Sequence, residues 1–169
     1  MNVFKVNEHA EIPQFATKGS ACFDVRACLQ NGQYLKSYNN WNKEQKILVK
    51  GVGGASNAFQ LPPGIRCLVP TGLIFDIPWK HVLKLYIRSS VALKKGLILS
   101  NGTGIIDCDY VNECFMMVSN VTDSLVTIEH GERLAQAMLE ETISYDISPT
   151  EKQPIQKTDR IGGLGSTGI

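Results

Sequence analysis

Three short stretches of the chain combine residue types that could bind phosphate and activate water. The segment Asn101-Gly102-Thr103-Gly104-Ile105-Ile106-Asp107-Cys108-Asp109-Tyr110 sets two carboxylates beside a tyrosine, and the apolar run Cys114-Phe115-Met116-Met117-Val118 follows it. A carboxylate on a rigid β element can act as general base toward water within hydrogen-bond reach, and Tyr110 could pack flat on a sugar or base. The expected shape is a β-hairpin or arm, with Asn112 tolerating a left-handed conformation at its turn, and the plainer reading of its acids is turn chemistry. The second stretch, Arg88-Ser89-Ser90, opens the one segment that reads as helix. Free N–H groups and the dipole at a helix start favour an anion; alternatively Ser89 is simply the N-cap and Arg88 is solvated. The third is the tail, where four glycines fall within residues 162–168 around Ser166 and Thr167, and Arg160 precedes them. Glycine lets backbone N–H groups approach a phosphate closely, and arginine offers a planar fork to its oxygens. Composition alone reads equally as disorder.

The elements that must position these groups read as β. Short alternating or apolar runs separated by turn residues cover 3–6, 21–27, 45–49, 65–70, 72–77, 82–87, 98–100, 105–107, 113–120, 125–128 and 133–140. This is the pattern of an all-β sandwich or barrel. Pro78-Trp79-Lys80 reads as a turn between strands, and one short helix is expected at 89–95, stopped by Gly96. Residues 31–58 are rich in Asn, Lys, Gly and Ser around Tyr34, Tyr38 and Trp41, and read as a loop insertion with one added strand at 45–49, either a tolerated surface excursion or a partner-binding loop.

At 169 residues the chain fits one domain. A net charge of +1 provides no bulk field for nucleic acid or an anionic membrane, so any phosphate site must be local. No apolar run reaches the length of a membrane span, and the start lacks the features of a signal peptide; a cytoplasmic protein is expected. Five cysteines without CxxC spacing argue against a disulfide framework or zinc. The histidines His9, His81 and His130 sit in unrelated contexts and read as surface or half-buried side chains.

In combination these stretches resemble the homotrimeric dUTPases, which carry five motifs in fixed order. The motifs are placed here at Ser20 to Ala27, at Arg88 to Ala92 with Lys95-Gly96, at Asn101 to Tyr110, at Gly131 to Gln136, and at Arg160 to Gly168. The resemblance implies a distorted jelly-roll-like β-barrel with one short helix, assembled as a homotrimer with active sites shared at the interfaces. It divides the chain into a β domain at 1–148 and a C-terminal arm at 149–169. It implies dUTP as substrate, with Asp107 the base that activates water against the α-phosphate. Tyr110 would lie under the deoxyribose, with Asn101, Gly104, Ile106 and Phe115 around uracil. Arg88, Ser89, Ser90 and Gln136 would contact phosphates, and Asp24 would hold waters of a Mg2+ ion. Arg160, Leu164, Gly165, Ser166 and Thr167 would close over the nucleotide. The sequence departs from the family at Cys22, Ile87 and Asn112, and at Leu164, where a phenylalanine usually covers the base. Two other functions fit the same residues: a dCTP deaminase of the same superfamily, and a regulatory module gripping a protein partner through 31–58.

Overall fold

The computed structural model describes residues 1–159. The chain runs β1 (Asn2–Lys5), β2 (Phe23–Arg26), β3 (Tyr34–Tyr38), β4 (Glu44–Leu48), β5 (Lys50–Val52), β6 (Ala55–Leu61), β7 (Arg66–Pro70) and β8 (Leu73–Asp76). It continues through β9 (His81–Ile87), α1 (Ser89–Lys95), β10 (Leu97–Leu99), β11 (Gly104–Asp107), β12 (Phe115–Asn120), β13 (Val126–Glu129) and β14 (Arg133–Glu141). The protein is therefore all-β with one short helix among its described residues.

Two sheets carry the site: a five-stranded one in the order β10-β12-β7-β3-β4 and a four-stranded one in the order β11-β9-β14-β2. Smaller sheets β1-β8 and β13-β6-β5 complete the fold. Period-2 alternation decides which side chains enter the core. Val25, Leu83, Leu85 and Ala137 from the four-stranded sheet join Val69, Met116, Val118 and Leu97 from the five-stranded one in a single apolar cluster.

The short helix appears where expected. Gly96 closes it at φ 59, ψ 35, and its N–H donates to the Ala92 carbonyl. Its start differs from the expected serine cap: the N-cap is Arg88, without a side-chain cap bond, and Ser89 is already the first helical residue. The turn at Pro78-Trp79-Lys80 is present, with His81 N–H bonded to Pro78 O at 3.1 Å.

Residues 31–58 are not a loop insertion. They form β3, β4, β5 and the start of β6, and β3 pairs with both β4 and β7 inside the five-stranded sheet. The alternation was hidden because one inward position of β3 is polar. Ser37 is fully buried beside Leu35, its hydroxyl donating to Gln45 O at 3.0 Å. The expected hairpin between 105–107 and 113–120 is also absent. β11 pairs with β9 while β12 pairs with β10 and β7, so residues 108–114 cross from one sheet to the other. Asn112 does not adopt a positive φ; among the described residues Asn42 and Lys80 are the non-glycine residues that do.

Candidate active site

The crossing at 108–114 joins the two main sheets beside a cavity of about 300 Å3 lined from β7, β9, β11 and β12. Asn101, Gly104, Ile106, Asp107, Tyr110 and Phe115 all line it. On β11, Ile105 and Asp107 point outward while Gly104 and Ile106 point in. On β12, Phe115 and Met117 point outward, and Met117 stands opposite Leu68 of β7.

Hydrogen bonds fix the crossing. Tyr110 N–H donates to Asp107 O at 3.1 Å, and the Tyr110 hydroxyl donates to Glu113 O at 2.9 Å. Cys114 N–H donates to Leu73 O at 2.8 Å, and the buried Thr71 hydroxyl donates to Cys114 O at 2.7 Å. The Glu113 carboxylate accepts from Gly72 N–H at 2.8 Å. Gly72 is required there: it sits at φ +68, and a Cβ would come within 2.7 Å of Ala10 Cβ.

The chemistry of the walls is mixed. Leu68, Leu85 and Met117 give an apolar bed, and Asn101 adds an amide able to donate and accept. Asp107 is exposed, and among the described residues none hydrogen-bonds its carboxylate, which leaves it available to a water. Burial pushes the Cys114 thiol up to about 12, reinforced by the nearby Glu113 charge. The thiol therefore stays protonated and is not a nucleophile.

A second cleft, of about 460 Å3, is lined by Arg26, Arg88, Ser90, Lys94, Lys95 and Arg133 together with Glu132. Its surplus of cations suits a polyanion. Ser89 is exposed on the first turn of α1 and does not line it. Gln136 stands on β14 directly opposite Asp24 of β2 and Tyr86 of β9. Asp24 is half-buried, with Arg88 Nε at 2.8 Å from one oxygen and Arg133 Nη1 at 3.1 Å from the other.

No lining residue belongs to both clefts. The structure thus gathers the expected base- and sugar-contacting residues in one place and Arg88 and Ser90 in another. Arg160, Leu164, Gly165, Ser166 and Thr167 lie outside the described residues. Among the described residues, no group of three His, Cys, Asp or Glu side chains could hold a metal. His130 is structural, its Nδ1 accepting from Leu29 N–H at 3.0 Å.

The family model for dUTPase matches residues 54–168. A deoxyuridine 5'-triphosphate nucleotidohydrolase of Treponema denticola is 34% identical over 171 residues, spanning 100% of this chain and 99% of its own length. The chain belongs to the dUTPase family. The crystal structure of dUTPase from Streptococcus mutans superposes with a TM-score of 0.66 at 26% identity, covering 86% of this chain and 99% of that one. The phage phi11 dUTPase of S. aureus, in which a structural Mg(II) ion is coordinated, has the same fold at 18% identity, with a TM-score of 0.65 over 89% of this chain and 96% of that one.

Sequence reasoning about this dUTPase family member missed the apolar bed and the additional cations. Leu68 and Met117 read as ordinary strand residues, and only their outward register reveals them. Arg26 and Arg133 were visible inside the first and fourth motifs, but nothing in their spacing shows that they approach Arg88.

Proposed function

We propose that the protein hydrolyses dUTP to dUMP and pyrophosphate. The observation that carries this reading is the single cavity of about 300 Å3 joining Asn101, Gly104, Asp107, Tyr110 and Phe115, an apolar slot with one amide and one carboxylate among its lining residues. Asn101 and the backbone about Gly104 and Phe115 bind the uracil edge, and Tyr110 supports the deoxyribose. Asp107 takes a proton from water as the water oxygen bonds to the α-phosphorus. The bond from that phosphorus to the bridging oxygen breaks, and pyrophosphate leaves with the electron pair. Such displacements need positioning and charge neutralisation more than covalent catalysis. Arg88, Ser90 and Gln136 supply them at the phosphates, with Ser89 at the helix start.

Because the two clefts are separate in one chain, the complete site is composed at interfaces of a homotrimer with a jelly-roll-like subunit. Residues 1–148 form the β domain and 149–169 the arm, with Arg160, Leu164, Gly165, Ser166 and Thr167 closing over the nucleotide. Magnesium fits as an ion carried in by the triphosphate rather than one caged by protein. Each Asp24 oxygen is engaged by one arginine and keeps a lone pair for a metal-bound water. When bound, the ion neutralises phosphate charge.

The test is pyrophosphate release from dUTP, dCTP, dTTP and UTP, with and without Mg2+. Turnover confined to dUTP is expected. Hydrolysis of dTTP at a similar rate would remove the uracil assignment, and ammonia release from dCTP would favour the deaminase.

A regulatory role can coexist. Trp41 is 80% exposed at the tip of the β3–β4 hairpin, which also carries Lys36, Lys43 and Lys46. Since Leu35, Ser37 and Val49 are buried, deleting 31–58 would break the core, and Trp41→Ala is the proper probe. Loss of a protein partner with unchanged dUTP turnover is the expected signature.

A further inference from the structure

The most informative irregularity outside the cavity is a β-bulge on β14. Arg133 pairs with Arg26 and Ala135 with Val25, so Leu134 is an extra residue against β2. Its mark is two successive fully buried side chains, Leu134 and Ala135, before alternation resumes at Gln136 and Ala137. With regular alternation Arg133 would share the inward face of Ala135 and Ala137. The bulge turns it to the outer face instead, where Asp24 and Gln136 stand opposite each other.

The same bulge holds Arg88. The Arg88 backbone N–H donates to Leu134 O at 3.0 Å, and its Nη1 lies 3.4 Å from Arg133 O. Asp24 then bridges the two guanidinium groups, at 2.8 Å to Arg88 and 3.1 Å to Arg133. Two strands distant in sequence, β2 and β14, thus converge on Arg88 at the N-cap of α1. Arg88 has many rotamers to lose when it grips a phosphate, and a tether that removes them in advance strengthens that grip.

We infer that Asp24 and Arg133 form a clamp, set by the β14 bulge, that pre-orients Arg88 toward the substrate phosphates, with both acting as positioning residues. The inference rests on the proposed dUTP site and adds a second duty to Asp24 beyond any metal-bound water. The clamp needs no metal, which separates the two duties.

The experiment measures binding of dUTP and of deoxyuridine to the full chain in EDTA, for wild type, Asp24→Asn, Arg133→Gln and the double variant. Each single change is expected to weaken dUTP roughly tenfold, the scale of one lost charge-assisted hydrogen bond, with deoxyuridine affinity unchanged. The double variant should be little worse than Asp24→Asn, because the pair acts as a unit. Arg133→Lys should recover only part of the loss, lacking the planar fork. Independent, additive losses, or an Asp24→Asn defect seen only when Mg2+ is present, would overturn the clamp. A loss of deoxyuridine binding would show a general structural role and overturn it as well. Pyrophosphate release from dUTP by wild type tests the underlying reading separately.

Discussion

Gly104 stands opposite Leu85 in the β11–β9 ladder, and a Cβ at Gly104 would lie 3.0 Å from Leu85 Cβ and 3.2 Å from its Cδ1. Both residues line the cavity, so the missing side chain sets how closely the edge strand approaches the apolar bed. Gly104→Ala is expected to push β11 off β9 or force Leu85 off its rotamer, at a cost of about 1–3 kcal/mol. Urea denaturation should show that loss, and KM for dUTP should rise more than kcat falls. An unchanged KM would show that the slot width does not govern base binding.

Asp107 is the carboxylate that lines the cavity, and among the described residues none hydrogen-bonds it, so its loss should spare binding. Asp107→Asn keeps size and removes the base, and turnover should fall by about 100-fold or more. Calorimetry should still detect dUTP binding within a few-fold of wild type. Full activity in this variant would strip Asp107 of its role.

Which parts were legible follows from where the determinants lie. Residues 89–96 encode their own helix and stop, because a glycine in the left-handed region terminates it locally. Asn101 through Tyr110 could be singled out because their chemistry is packed into ten residues. The strand β3 was illegible because Ser37 occupies a core position usually marked by an apolar residue, its hydroxyl satisfied by a partner eight residues away. The crossing at 108–114 reads as a hairpin in the sequence because turn residues announce a reversal and not which sheet receives the next strand. Arg133 was hidden for a third reason: the bulge that redirects it is a property of pairing between β14 and β2, whose residues are over a hundred positions apart.

Burial pushes the thiols of Cys67 and Cys114 up to about 12 from 9.0, which makes a pH prediction. In the unfolded chain these thiols ionise near 9, so above that pH the folded state binds more protons than the unfolded one. Stability from this source is fully present below pH 9 and is lost as pH rises from 9 through about 12. Each thiol contributes a slope of up to about 1.4 kcal/mol per pH unit across that window. Urea midpoints should hold steady from pH 7 to 8.5 and decline above 9. Cys67→Ala, though less stable at neutral pH, should show a shallower decline than wild type. Equal slopes would mean that other groups account for the alkaline loss.

The last prediction concerns the base. Leu164 stands where the family resemblance puts a phenylalanine, and a leucine covers a uracil ring by dispersion without offering a π-face. The cavity supplies aromatic surface of its own through Tyr110 and Phe115, about two-fifths exposed at 40% and 41%. If these side chains already shield the ring, an added aromatic brings little; if they do not, stacking adds about 0.5–1.5 kcal/mol, or up to roughly tenfold in affinity. Leu164→Phe is therefore expected to tighten dUTP binding or leave it unchanged, with kcat preserved. Titration with dUTP and with deoxyuridine separates the two cases, because a gain from stacking should appear with both. A marked loss of activity would overturn the proposed closing of residues 160–168 over the base in the manner the family resemblance implies.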